Sequence, residues 1–259
     1  MKRIESRDNK WIKRLNGLKI KKNRDKEGLF IAEGLRFIRE IPKNWEVLAY
    51  AVSDAFAAEN DLSPYEEKAE VLCLTDALFA AVCDTENPQG ILAVCKKLDW
   101  DADAVLAKKT PFLLLAEELN DPGNLGTILR TADALAVPVV LLPGCADVWN
   151  PKVVRASMGA VFRMDIPAIT EAEVLAQCAE KNLMLTITAL NDRAVDIRGA
   201  DFRNAVAVIG SEGQGVRQSL LEAAAQSVII PMQAHCESLN AAIAAAIVMW
   251  QMKNGEYGG

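Results

Sequence analysis

"AVAVIGSEGQGV", residues 205–216, opens on five uninterrupted apolar residues and closes on three glycines in a GxxGxG spacing. A strand without polar alternation is buried on both faces, which places it inside a mostly parallel sheet covered by helices. Strands of the same kind are expected at 112–116, 138–142, 183–188 and 227–232. Helices are expected between them at 125–136, 151–160, 171–181, 216–225 and 239–252. The chain from 111 to 259 therefore reads as one α/β domain.

Residues 1–97 alternate differently. Trp11, Ile12, Leu15 and Leu18 recur at helical spacing in a basic segment, and "GLFIAEG" (28–34) reads as a strand. Further strands are expected at 45–53, 70–75 and 90–97, with helices at 35–41, 54–60 and 76–82. This gives a small α/β/α domain. The charged stretch 98–110 is placed as a linker.

Charge is distributed unevenly. The 259 residues carry a net −6, yet residues 1–28 hold eleven Lys and Arg against four acids, so the remainder stands at −13. A basic end on an acidic body suits contact with a polyanion, or a plainly solvated helix. The six cysteines are scattered without a CxxC pair and there is one histidine, His235, so buried reduced thiols are expected and no metal site. No run approaches the ~20 apolar residues of a membrane span, and the charged N-terminus does not read as a signal peptide.

In open α/β sheets ligands sit beyond the carboxyl ends of the strands. Three segments there carry unusual residues. In "ELNDPGNLGTILRTADAL" (118–135), Asn124 fits as the N-cap of an amphipathic helix. Arg130 falls opposite its apolar stripe, facing either solvent or a site. The loop 210–217 lacks both the dinucleotide fingerprint and the P-loop lysine, and Glu212 within it disfavours a phosphate ligand. Gly210, Gly213 and Gly215 let the backbone turn sharply or approach a ligand. In "SVIIPMQAHCESLNAAIAAAIVMW" (227–250), Ile230 and Met232 offer an apolar lip, Ser238 fits as N-cap, and Asn240 sits in the first turn of a helix apolar nearly all round.

Together these segments resemble the three motifs of the SpoU (TrmH-type) branch of the SPOUT superfamily of RNA methyltransferases. "NPKVVRASMGAVF" (150–162) is similar to its connecting helix, and residues 6–34 to an N-terminal substrate-binding domain often fused to it. The resemblance implies methylation by S-adenosylmethionine of a ribose 2′-hydroxyl in structured RNA, with rRNA favoured over tRNA. A non-catalytic RNA-binding member is the alternative. It further implies a trefoil knot and a homodimer formed through the C-terminal domain, and the reduced thiols are read as those of a cytoplasmic protein. Carried residue by residue, Ala189, Leu190, Gly210, Glu212, Gly213, Gly215, Ile230, Met232 and Leu239 would hold the cofactor. Arg130, Asn124, Glu212, Ser238 and Asn240 would serve catalysis. Lys13, Arg14, Lys21, Lys22 and Arg24 would meet RNA backbone. Ala234 departs from the family, which usually has glycine there. A guanidinium is a poor base, so Arg130 is read as an electrostatic clamp on phosphate or developing alkoxide.

Overall fold

The computed structural model describes residues 1–107, 112–189, 191, 193–211, 213–233, 235–236 and 238–257, with no side-chain description at 106–107 and 255–257. The chain divides into two compact units, Met1–Leu98 with Asp147–Phe162, and Asp99–Ala146 with Arg163–Gly259.

The first unit runs β1 (Lys2–Ile4), α1 (Lys10–Gly17), α2 (Lys21–Glu27), β2 (Leu29–Glu33), α3 (Leu35–Ile38), β3 (Val47–Ser53), α4 (Asp54–Glu59), α5 (Ser63–Glu66), β4 (Glu70–Leu74), α6 (Asp76–Val82) and β5 (Ile91–Lys96). Its sheet has the order β1-β4-β3-β5-β2, with β5 antiparallel to both neighbours. The basic segment forms two short helices rather than one. Asn9 caps α1 by accepting from the Trp11 N–H at 2.9 Å, and Gly28 ends α2 with φ +65°. Trp11, Ile12, Leu15 and Leu18 enter one core with Leu72, Leu74 and Phe79. Each such side chain contributes roughly 1.5–3 kcal/mol on burial.

In the second unit and its connections the order continues α7 (Ala102–Ala107), β6 (Phe112–Ala116), α8 (Pro122–Leu135), β7 (Val139–Leu141), α9 (Pro151–Ala156), α10 (Glu171–Lys181), β8 (Met184–Thr188), β9 (Val195–Asp196), β10 (Ala205–Ile209), α11 (Gln218–Ala223), β11 (Gln226–Ile229) and α12 (Ala241–Tyr257). The sheet order is β7-β6-β10-β8-β11-β9, and every pair is parallel. The expected parallel sheet under helices is what forms. α7 occupies part of the stretch read as a linker.

One segment groups differently from the continuous division at 98–110. Residues 147–162, including α9, cluster with the first unit. Its aromatic residues explain this: Trp149 stacks on Phe30 at 4.5 Å and Phe162 lies edge-on to Trp45 at 5.0 Å.

Within the second unit α8 and α12 pack together. Leu125, Ile128, Leu129 and Ala132 form the fully buried stripe of α8. Asp121 starts that helix, with its side chain accepting from the Asn124 N–H at 2.8 Å and Pro122 in the first turn. α12 buries Ala241, Ala245, Val248, Met249 and Met252 but leaves Ile243 and Trp250 exposed. Among the described residues no helix is long and apolar enough to cross a membrane.

Candidate active site

Because β6, β10, β8 and β11 are parallel neighbours, the loops that follow them emerge at one edge of the sheet. There a cleft of about 950 Å³ opens. The loop after β10 forms its floor. Ser211 and Gly215 exchange backbone hydrogen bonds at 3.1 and 3.0 Å, closing the loop on itself. A Cβ on Gly210 would collide with the Gly215 carbonyl. The glycine requirement at 210 is therefore internal to the loop, and Gly215 supplies the left-handed turn at φ +69°.

Of the expected cofactor residues, Ala189, Gly210, Gly215, Ile230, Met232 and Leu239 line this cleft. Ser238 also faces it. Gly213 is not in its walls, and nothing lies within 4 Å of where its Cβ would be. Leu190, Glu212 and Ala234 lie outside the described residues.

Two capping expectations are corrected. Asn124 is not the N-cap of α8. Asp121 takes that position because the Asp-Pro step turns the chain into the helix three residues earlier. Freed from capping, the Asn124 Oδ1 accepts a hydrogen bond from the Asn240 Nδ2 at 3.0 Å. Ser238 likewise does not cap α12. The helix begins at Ala241, and the Asn240 Oδ1 accepts from the N–H groups of Ala242 and Ile243 at 3.0 and 3.3 Å. One asparagine thus caps α12 while its amide ties the first turn of α8 to it.

Arg130 is exposed, six residues and about 9 Å further along α8. Among the described residues its guanidinium has no hydrogen-bond or ion-pair partner. His235 is exposed.

An arginine that the motif reading passed over organises the cleft floor. Arg217, at the start of α11, forms a short ion pair with the buried Glu117 and further contacts with Glu118 at 3.3 Å and Glu171 at 3.2 Å. Its own N–H donates to Glu117 at 3.2 Å. Hydrogen bonding to Glu117 raises the guanidinium above its ordinary value. The end of β6 is thereby bolted to the end of the glycine loop. The acid pair Glu117-Glu118 ahead of Asn120 was the available signal in the sequence.

The basic helices of the first unit also need correction. Arg24 is buried, and its guanidinium binds Asp147 at 2.6 and 2.9 Å and the Leu18 and Lys19 carbonyls at 2.9 Å. It is a structural bolt with no face left for a phosphate. Arg14 pairs with Glu27 at 2.7 Å and lies over the Trp11 ring. Lys13, Lys21 and Lys22 are exposed, Lys13 within 3.4 Å of Asp8.

The sequence model of the SpoU rRNA Methylase family matches residues 111–250, the span that holds this cleft. The chain belongs to that family. Residues 9–93 match an MRM3-like substrate binding domain. This SpoU family member is 32% identical, over 98% of its length and all of the relative's, to the 23S rRNA (guanosine(2553)-2′-O)-methyltransferase RlmP of Bacillus subtilis. An AdoMet-bound rRNA methyltransferase from Sinorhizobium meliloti superposes with a TM-score of 0.84 at 26% identity, covering 98% of each chain. A structure described as an RNA 2′-O ribose methyltransferase superposes with a TM-score of 0.81 at 31% identity, covering 98% of this chain and 99% of that one.

Proposed function

We propose that the protein transfers a methyl group from S-adenosylmethionine to a ribose 2′-hydroxyl of structured RNA, with rRNA as the substrate class. The observation that carries this reading is the cleft beside the Asn124–Asn240 clamp, in a member of the SpoU family. The residues fit the cofactor. The cleft volume lies within the ~300–1,000 Å³ of small-molecule sites, Gly210 and Gly215 place side-chain-free backbone in its lining, and Ile230, Met232 and Leu239 give apolar surface for a flat base. When bound, the cofactor supplies an electrophilic methyl group on a sulfonium.

The chain's own residues have two tasks. A ribose hydroxyl is a weak, neutral nucleophile, so it must be held in line with the methyl at roughly 3–3.5 Å. Its developing negative charge must also be met by a preorganised cation. Arg130 answers the second task, because it is exposed on the helix whose first turn Asn240 fixes. A guanidinium stays protonated and presents a planar fork, which suits a clamp on phosphate or alkoxide rather than a base. Asn124 and Asn240 act as positioning residues.

The exposed lysines Lys13, Lys21 and Lys22 would touch RNA backbone, giving affinity that falls with salt. The reading includes a trefoil knot in the C-terminal unit and a homodimer. The dimer is supported by the exposed Ile243 and Trp250, seven residues apart and so on one face of α12.

The test is calorimetric titration with S-adenosylmethionine, followed by transfer of labelled methyl groups to rRNA and tRNA and mapping of 2′-O-methyl nucleotides. Saturable cofactor binding and a ribose-methylated rRNA position are expected. No cofactor binding would sink the enzymatic reading, and label confined to tRNA would overturn the substrate class.

A further inference from the structure

A second cavity, of about 340 Å³, lies within the first unit, with walls from Glu33, Arg36, Phe37, Asn87, Gln89, Arg155 and Met158. Its polar groups are mostly unused donors. The Glu33 carboxylate is taken up by the Asp84 N–H at 3.0 Å and by the Thr85 hydroxyl. The Gln89 Oε1 accepts from the Leu35 N–H at 2.9 Å, so its amide nitrogen remains to donate. The Arg155 Nη1 is buried without a hydrogen-bond partner, while Nη2 reaches Asp84 only at 3.4 Å. Neither Arg36 nor Asn87 has a hydrogen-bond or ion-pair partner among the described residues. Glu40 at the rim is itself partnered. A buried, unsatisfied guanidinium nitrogen is costly and calls for an explanation in a ligand.

The remaining wall is apolar and unusual. Met158 is non-glycine at φ +49° and leaves its side chain 37% exposed. Backbone of this kind persists where the surroundings impose it, and it collects at ligand sites. Phe37 is buried behind the cavity.

We propose that this cavity takes one unpaired nucleotide of the RNA substrate. The base lies against Met158 and Phe37, and Gln89 and Arg155 donate to its acceptor edge. Arg36 meets the phosphate. Sequence-specific RNA recognition works in this way, on bases splayed from single-stranded loops and read at their edges. The donor-rich lining suits the carbonyl and ring-nitrogen acceptors of a base together with a phosphate. The site rests on the RNA-methyltransferase reading for its occupant, while its geometry lies wholly in the first unit.

The experiment uses the full chain labelled at its methionine methyl groups, with Met158 assigned by the Met158→Leu variant and Met232 reporting on the cofactor cleft. The four ribonucleoside 5′-monophosphates and inorganic phosphate are titrated separately, with saturating S-adenosylmethionine present. The Met158 methyl should shift saturably with nucleotides and stay still with phosphate. Arg36→Ala combined with Asn87→Ala, both exposed, should weaken that binding about 10-fold, the loss of one or two good contacts. The same pair should raise KM for RNA and leave cofactor affinity and kcat unchanged. A Met158 methyl that ignores nucleotides, or responds equally to phosphate, overturns the proposal while leaving the methyltransferase reading intact. A response at Met158 with none at Met232 to S-adenosylmethionine would overturn the methyltransferase reading alone.

Discussion

Two arginines, one in each unit, began with the same expectation of meeting RNA or its reacting ribose and ended in opposite environments. Arg24 of the first unit is 1% exposed and spends every donor group it has on Asp147 and two carbonyls. Arg130 of the second unit stands exposed on α8 without a hydrogen-bond or ion-pair partner among the described residues. The residue type and the amphipathic spacing were alike. What separates them is a carboxylate 123 residues away in the chain, which folding brings to one and not to the other. An arginine's role is set by which acids reach it, and Arg217, held by three of them beside the cleft, lies between the extremes.

The comparison breaks first at Arg130. Arg130→Lys keeps the charge and loses the fork, so turnover should drop by about 10²-fold or more. The melting temperature should not move, because the side chain is exposed and has no hydrogen-bond or ion-pair partner among the described residues. Near-normal methyl transfer by this variant would refute the clamp.

Arg24→Ala should invert that pattern. It strands Asp147 in a buried setting and should cost about 3–5 kcal/mol of stability in denaturant unfolding, with cofactor affinity of the folded protein unchanged. Adding Asp147→Leu should recover much of the loss, since removing both charges removes the stranded one. A single variant as stable as the parent would mean that the pair is not the bolt described above.

Arg217→Gln tests the intermediate case. Loosening the glycine loop from β6 should weaken S-adenosylmethionine binding about 10-fold, or ~1.4 kcal/mol. Calorimetry of the variant gives the answer, and an unchanged affinity would separate the acid cluster from the cleft.

The smallest effect is shared by both units. Asp25 is held below the usual carboxylate range by a hydrogen bond from Lys97, and Asp196 and Asp201 are pushed down to about 2 by Arg198 and Arg203. Their folded values lie below the unfolded value of roughly 3.9. The stability they lend is therefore complete above about pH 5 and is lost as pH falls through 4 toward 2. These groups keep much of their side chains in water, so the melting temperature should be flat from neutral pH down to about 5 and then decline gently. A rise on acidification would contradict the assignment.

The sequence was most informative where burial acts on contiguous residues. "FLLLA" and "AVAVI" are buried along their whole length because nothing in them tolerates water, and their parallel pairing with each other and with "MLTIT" fits that composition. Part of the cleft was legible too, since the segments after β10 and β11, expected beyond the strand ends, contribute to its walls, whereas the 118–135 segment does not. Local capping was less legible. Asp121 and Asn124 compete for one role, and the Asn124–Asn240 contact, 116 residues apart, shows what the second does instead. The bolt made by Arg24 was invisible and that made by Arg217 was marked only by the acid pair Glu117-Glu118, because Asp147 and Glu117 lie 123 and 100 residues from their arginines and no periodicity encodes such a distance.

The return of residues 147–162 to the first unit bears on how the protein can be cut. A fragment ending at Leu98 would carry Arg24 without its acid and Phe30 without Trp149, both inside its own core. A fragment beginning at 99 would carry a loose tryptophan and phenylalanine instead. The two halves are separate by grouping yet inseparable by scissors, so a substrate-binding piece for study needs the 147–162 segment grafted onto it.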